Sequence, residues 1–160
     1  MTDPCPAFEP HDHSRCGTAA IAAVEAACAD RGLRLTPLRR HVLEALLGAT
    51  SALGAYDVMA ALRAAGRQVQ PPAAYRALDF LVANGFAHRV ESLNAFVACP
   101  RPADPHRPAL LVCRSCRTVA ERPGAPHRAA LAEDAADLGF AIEALTVEAQ
   151  GLCPTCRAAA

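Results

Sequence analysis

The chain has 160 residues, in which 16 arginines balance 16 acids and lysine is absent. That length fits one domain or two small ones, and a formal charge of zero gives no global sign of a polyanionic partner. No apolar run approaches the ~18 residues of a membrane span, the opening Met1-Thr-Asp-Pro4 carries no basic and apolar leader, and unpaired-looking thiols suit a reducing compartment, so the chain reads as soluble and cytoplasmic, with no membrane partner.

The apolar fraction is 52%, yet 38 of those residues are alanine and only seven residues are aromatic. Two small alanine-rich cores would each be marginal, which favours a metal staple and a dimer interface. Charge is slightly uneven. Residues 17–98 carry eight arginines against six acids, whereas residues 99–160 carry seven of each.

Residues 1–16 are polar and proline-containing and read as a disordered N-terminal segment. Cys5, His11, His13 and Cys16 lie within it and could in principle bind a metal, although terminal clusters of this kind are more often incidental. A first helix is expected over Thr18–Arg31, with Ile21, Val24 and Cys28 on one face. Thr36-Pro37 is a helix start, an N-cap followed by proline at the first helical position, and it places Leu38, Val42, Leu43, Leu46 and Leu47 on a core stripe up to Gly48. A third helix is expected near Ala55–Ala65, built on Val58, Met59 and Leu62 and ended by Gly66. Pro71-Pro72 opens a fourth, Ala73–Asn84, with Leu78, Leu81 and Val82 inward. Arg76 lies about 160° round the helix from Leu78 and so faces outward. Beyond Gly85 the period changes to two, with Phe86, His88 and Val90 on one face, a turn at Ser92-Leu-Asn94, and a return strand Phe96–Cys99. Helices followed by a two-stranded ribbon make a winged helix-turn-helix, whose last helix enters the major groove.

Residues 99–108 hold four of the thirteen prolines and read as a hinge. Residues 109–160 then form a small α/β unit: strands Ala109–Cys113 and Thr118–Glu121, a helix from Pro126 to Leu138 with Leu131, Ala135 and Leu138 inward, and a last strand Phe140–Ala149 whose alternation slips near Glu143-Ala144. Its few strands would be completed by pairing with a second copy. The domain organisation is therefore 1–16, 17–98, 99–108 and 109–160, and the fold class is α+β: an N-terminal winged helix plus a small α/β dimerisation domain.

Two Cys-x-x-Cys pairs, Cys113/Cys116 and Cys153/Cys156, are separated by 36 residues. Two intervening residues let each pair turn both sulfurs toward one ion, and four thiolates complete a structural zinc tetrahedron. A disulfide framework would suit a secreted chain, and a thioredoxin-like redox motif would need only one pair. Arg114, Arg117 and Arg157 lie beside the ligands, where they offset the −2 charge of a four-thiolate zinc or serve as ordinary solvated residues.

The succession Arg34-Leu-Thr-Pro37, Ala55-Tyr-Asp57, Pro71-Pro-Ala-Ala-Tyr-Arg-Ala-Leu-Asp-Phe-Leu81, Gly85-Phe-Ala-His-Arg-Val-Glu-Ser92 and the two cysteine pairs resembles the ferric uptake regulator family, closest to its zinc-sensing branch, over residues 17–157. The resemblance implies a homodimeric, zinc-responsive transcriptional repressor binding AT-rich palindromic operators of zinc-uptake genes. It implies that Tyr75 and Arg76 on the recognition helix, and Tyr56 on the helix before it, approach DNA. It also matches His88, Cys99, His106 and Glu121 to the regulatory zinc site, giving two Zn²⁺ per chain. The donor chemistry agrees: two imidazoles, one thiolate and one carboxylate suit a borderline-soft, four-coordinate ion. Two departures stand out. Ala73 and Ala74 replace the family's Thr-Val, which removes an N-cap or phosphate-contacting hydroxyl, and the histidine run of iron-type members is reduced to His106.

The residues leave other readings open. Iron, manganese, nickel or peroxide sensors belong to the same family, and a zinc ribbon could serve interaction without DNA. An enzyme is disfavoured, because no deaminase His-x-Glu with Pro-Cys-x-x-Cys and no glycine-rich phosphate loop occurs, and no small-molecule substrate is expected.

Overall fold

The computed structural model describes residue 8, residues 13–102 and residues 106–159, with side chains of the first helix from Gly17 onward. Cys5 and His11, and the side chains of His13 and Cys16, therefore lie outside the described residues, as do residues 103–105 of the expected hinge.

Helix α1 (His13–Asp30) begins five residues before the expected Thr18. No proline interrupts His13–Thr18, and a single interior glycine, Gly17, costs only about 1 kcal/mol, so the helix runs through it. Helix α2 (Pro37–Leu47) starts as read: the Thr36 hydroxyl accepts the Arg39 N–H at 3.4 Å, and Pro37 follows. Helix α3 (Ala55–Ala64) has its first turn held by Asp57, whose carboxylate accepts the Gly54 N–H at 2.9 Å. Helix α4 (Pro71–Ala83) begins two residues earlier than read. Ala73 is thus the third helical residue rather than a cap, and Ala74 is fully buried. The missing side chain at 74 belongs to the core, not to the surface.

The four helices share one core of Val24, Cys28, Val42, Leu43, Leu46, Val58, Leu62, Leu78, Leu81 and Phe86, with Ile21, Leu38, Leu47 and Val82 packed at its margin. Phe86 closes this core and starts the wing. Strand β1 (Ala87–Val90) pairs antiparallel with β2 (Ala95–Ala98) through a one-turn 3-10 helix, Glu91–Leu93. Asn94 takes the left-handed conformation (φ 46°) that closes the turn, as asparagine tolerates better than most residues.

The second half is a three-stranded sheet in the order β4-β3-β5, built from β3 (Pro108–Cys113), β4 (Val119–Pro123) and β5 (Val147–Gly151). Strand β3 is antiparallel to β4 and parallel to β5, and α5 (Ala125–Asp137) spans part of the crossover. A short α6 (Pro154–Ala158) ends the described chain. Among the described residues no helix is long and apolar enough to cross a membrane.

Two expectations for this half are corrected. Only Ala135 of α5 is buried; Leu131 is 44% and Leu138 84% exposed, and Phe140 beyond them 67%. The last strand is also shorter than Phe140–Ala149, because 140–146 lacks strand structure and pairing starts at Val147. The causes are linked. Val147 pairs with Ala109, the second residue of β3, so 140–146 runs past the start of β3, and the apolar face of α5 that this segment flanks stays exposed in the single chain. Leu131, Ala135, Leu138, Phe140, Ile142 and Leu145 line one apolar groove as a result.

The halves are packed together by the chain itself. Ala52, Val90 and Ala95 join Leu110 and Val112 in a second buried cluster. Backbone contacts extend it: the Ala52 N–H donates to the Arg117 carbonyl at 2.9 Å, and the Thr118 hydroxyl to the Thr50 carbonyl at 3.2 Å.

Gly124, between β4 and α5, sits where a Cβ would fall on the Arg107 carbonyl oxygen and 2.9 Å from the Pro108 carbonyl carbon. Both obstacles are backbone, so Gly124→Ala must shift the start of β3. Overpacking of this kind typically costs about 1–3 kcal/mol. The variant should melt several degrees below wild type by calorimetry, and an unchanged melting temperature would contradict this close approach.

Candidate metal centres and nucleic-acid surface

The sulfurs of Cys113, Cys116, Cys153 and Cys156 lie within 4.8 Å of one another. Cys113 ends β3, Cys116 occupies the turn after it, and Cys153 caps α6, which carries Cys156. A tetrahedral four-thiolate zinc with bonds near 2.3 Å requires sulfurs about 3.8 Å apart, and the Cys116 and Cys153 sulfurs are 3.7 Å apart. Backbone amides are already aimed at the thiolates. The Cys153 N–H donates to the Cys113 sulfur at 3.3 Å, and the Cys156 N–H to the Cys153 sulfur at 3.4 Å. Amides of Cys116 and Cys153 bring the Cys113 thiol down to about 6, which favours the thiolate that a metal would take. Hydrogen bonding with Thr118 lowers the exposed Cys116 thiol. Ser115 favours the Cys156 thiolate, but the adjoining Cys153 thiol and burial outweigh it and push Cys156 up to about 12. Four thiols crowded without a cation resist full ionisation, and a divalent ion relieves that repulsion. The donor set fits zinc.

The second cluster draws on both halves of the molecule. His88 projects from β1, Cys99 follows β2, His106 precedes β3 and Glu121 lies on β4; their ligand atoms are also within 4.8 Å of one another. The Cys99 sulfur is 3.6 Å from His106 Nε2, which in turn is 2.6 Å from Glu121 Oε1. His88 Nε2 lies 2.9 Å from Glu121 Oε2, yet neither atom makes a well-aligned hydrogen bond, and both are buried. Buried polar atoms without partners are costly, and an ion accepted by both would satisfy them. Burial alone would raise the Glu121 carboxyl, but the close approach of His88, then His106 and Arg101, brings it below its usual value. Glu121 is therefore an anion ready to ligate.

Arg101 is a neighbour that the sequence does not disclose. Its guanidinium donates to Glu121 Oε1 at 3.2 Å and its backbone N–H to the Cys99 sulfur at 3.3 Å. No motif marks it; its place two residues after Cys99, in a proline-rich segment, is the only clue. Of the arginines flanking the cysteine pairs, Arg117 contributes through its backbone: it adopts φ 61°, and its carbonyl accepts the Ala52 N–H.

Tyr56, Tyr75 and Arg76 are all exposed, on α3 for the first and α4 for the other two. Tyr56 is 73% and Tyr75 42% accessible. Large aromatic side chains left in water at the start of two adjoining helices have no role in the core that those helices share.

The Zinc uptake regulation protein of Escherichia coli (strain K12) is 41% identical over 137 residues, 85% of this chain and 80% of its own length. The chain belongs to the zinc uptake regulators, within the ferric uptake regulator family. No protein-family model matches it. Among solved members, a zinc uptake regulator complexed with zinc and DNA superimposes with a TM-score of 0.84 at 39% identity, covering 89% of this chain and 96% of that one. A second regulator of the family, XcZur, has been solved in two states. Its holo form gives a TM-score of 0.79 at 43% identity over 88% of this chain and 98% of its own. Its apo form gives 0.52 at 40% identity over 89% and 99%. Nearly the whole chain aligns in both states, and it superimposes better on the holo form than on the apo form.

Proposed function

We propose that the chain is a zinc-responsive transcriptional repressor that acts as a homodimer on AT-rich palindromic operators of zinc-uptake genes, with two Zn²⁺ per chain. Cys113, Cys116, Cys153 and Cys156 hold the structural ion, and His88, Cys99, His106 and Glu121 the regulatory one. The observation that carries this reading is the second cluster: four donors of zinc-like chemistry, drawn from both halves of the molecule, converge on one point, and two of their own atoms, His88 Nε2 and Glu121 Oε2, lack a well-aligned hydrogen bond. The solved relative that binds zinc and DNA, and the better superposition on the holo than on the apo form, support it.

Bound zinc would supply a cross-link between donors drawn from both halves, beside the apolar contact that already joins them. The residues do the rest. His88 lies on the wing, which joins α4 through Phe86, and Glu121 lies on the second sheet, so closing the cluster fixes the angle between α4 and that sheet. In a dimer the same angle sets the separation of two recognition helices, and half-site spacing is what a palindrome tests. The exposed groove of Leu131, Leu138, Phe140 and Ile142 supports dimerisation, because contiguous apolar surface of this kind marks interaction sites. Both metal clusters offer four protein donors, with no position left for a catalytic water of the three-ligand type, which argues against an enzyme. Iron sensing is disfavoured by the buried Cys99 thiol, a donor that suits zinc better than a nitrogen–oxygen site would.

Binding to DNA should depend on the outward face of α4. Arg76→Ala removes a guanidinium able to pair with guanine O6 and N7 and should cost about 1–3 kcal/mol of specific binding, with dimer and metal content unchanged. Fluorescence anisotropy on a duplex selected by the wild-type protein from a random pool measures this, and equal affinity would displace α4 as the reading helix. The functional proposal is tested on the same duplex. Mild chelation should remove one zinc per chain and release DNA, and re-addition of zinc should restore binding. DNA binding that ignores chelation would refute zinc-responsive repression.

A further inference from the structure

Leu110 on β3 is the register partner of Glu121 on β4 and also of Glu148 on β5. Directly paired residues project from the same face of a sheet, so the two carboxylates form one row with Leu110 between them. Every member of the row meets the wing. Glu121 reaches His88 of β1 at 2.9 Å, Leu110 packs in the cluster that contains Val90, and the Glu148 carboxylate accepts the backbone N–H groups of Glu91 and Ser92 at 2.6 and 3.0 Å. Those amides open the 3-10 turn Glu91–Leu93, where the N-cap Val90 offers no side-chain hydrogen bond. First-turn amides are orphans unless something outside the helix accepts them, and a carboxylate is the strongest acceptor available. The turn of the wing is thus capped from the other half of the molecule.

We infer that Glu148 is a positioning residue for DNA recognition: a latch, independent of the metal donors, that holds the wing to the far edge strand of the sheet. The inference rests on the function proposed above. Glu121 and the apolar contact of Val90 with Leu110 hold the wing along one edge and the middle of the row. Glu148, two strand spacings from Glu121, about 10 Å, adds a polar hold on the turn at the far edge strand and resists tilting of the wing about that inner contact. The wing is rigidly continuous with α4, since Phe86 is fully buried in the helical core and its N–H donates to the Leu81 carbonyl at 2.8 Å. Fixing the wing therefore fixes the direction in which Tyr75 and Arg76 point. Glu148 touches neither DNA-facing residue nor any metal donor, and acts through the backbone of the turn.

The test uses the zinc-loaded full chain as wild type, Glu148→Ala and Glu148→Gln. The glutamine keeps the size but loses the charge and one of two acceptor oxygens. Hydrogen exchange at the Glu91 and Ser92 amides should accelerate roughly tenfold or more in Glu148→Ala and less in Glu148→Gln. Affinity for the selected duplex should fall roughly tenfold in Glu148→Ala at saturating zinc, whereas affinity for a scrambled duplex of equal length, zinc content and melting temperature should hold. Wild-type affinity for the selected duplex in Glu148→Ala would overturn the positioning role, as would an equal loss on both duplexes or a loss of zinc, which would mark a merely structural residue. Failure of the wild-type protein to select any duplex with zinc would instead overturn the functional reading, and the latch's role in recognition with it. Unchanged exchange at both amides would overturn the latch whatever the DNA result.

Discussion

Cys99→Ser should abolish zinc-dependent operator binding at limiting zinc while leaving the dimer and the four-cysteine zinc in place. Cys99 is 1% exposed and contributes to the second cluster alone. Changing a residue that merely orients a ligand typically costs 10–100-fold in metal affinity, so removing a ligand should cost at least about 100-fold. His88→Ala should behave alike, with an added penalty, because the buried Glu121 Oε2 loses its close neighbour. Both variants should retain one zinc per chain by elemental analysis and release the other to a weak chelator. Two tightly held ions in either variant would remove that residue from the regulatory site.

Cys113→Ser is expected to act on stability instead. Cys113 ends the central strand and its sulfur accepts the Cys153 amide, so it joins β3 to the C-terminal segment as well as to the ion. Structural zinc sites contribute folding free energy outright, with apparent binding energies of about 10–16 kcal/mol in small zinc domains. The variant should lose one zinc per chain, unfold its second half well below the wild-type melting temperature, and lose dimerisation. The damage should reach the first half too, since the turn after β3 that carries Cys116 docks on it through Arg117 and Thr118. A folded, dimeric, zinc-replete Cys113→Ser protein would rule out a structural ion at this cluster.

The contrast between these variants reflects what is local in the chain and what is not. The start of α2 at Thr36-Pro37, the apolar stripes of α2, α3 and α4, and the outward face of Arg76 follow from capping chemistry and helical period, so they are legible in the sequence. The four cysteines are legible for the same reason, because their spacing alone turns two sulfurs inward. The convergence of His88, Cys99, His106 and Glu121 is tertiary. Four residues of three kinds spread over 34 positions carry no common spacing, and only the family resemblance groups them. Arg101 and Glu148 were missed because each acts through a contact across the two halves that no short-range pattern encodes. Leu131 and Leu138 misled for a related reason. Their apolar period is real, but a single chain has nothing to cover that face, so the period marks an exposed apolar surface rather than an internal core.

The central claim is that zinc at the second cluster and DNA at α4 are coupled through one rigid arrangement of the two halves. Reciprocity tests it most directly. Zinc affinity of the regulatory site, measured by competition with a chelator, should be tighter with the selected duplex present than without it. The factor should equal that by which zinc tightens DNA binding, in the range of roughly 5–150-fold that is typical of allosteric coupling. Equal zinc affinity in the two titrations would contradict the account.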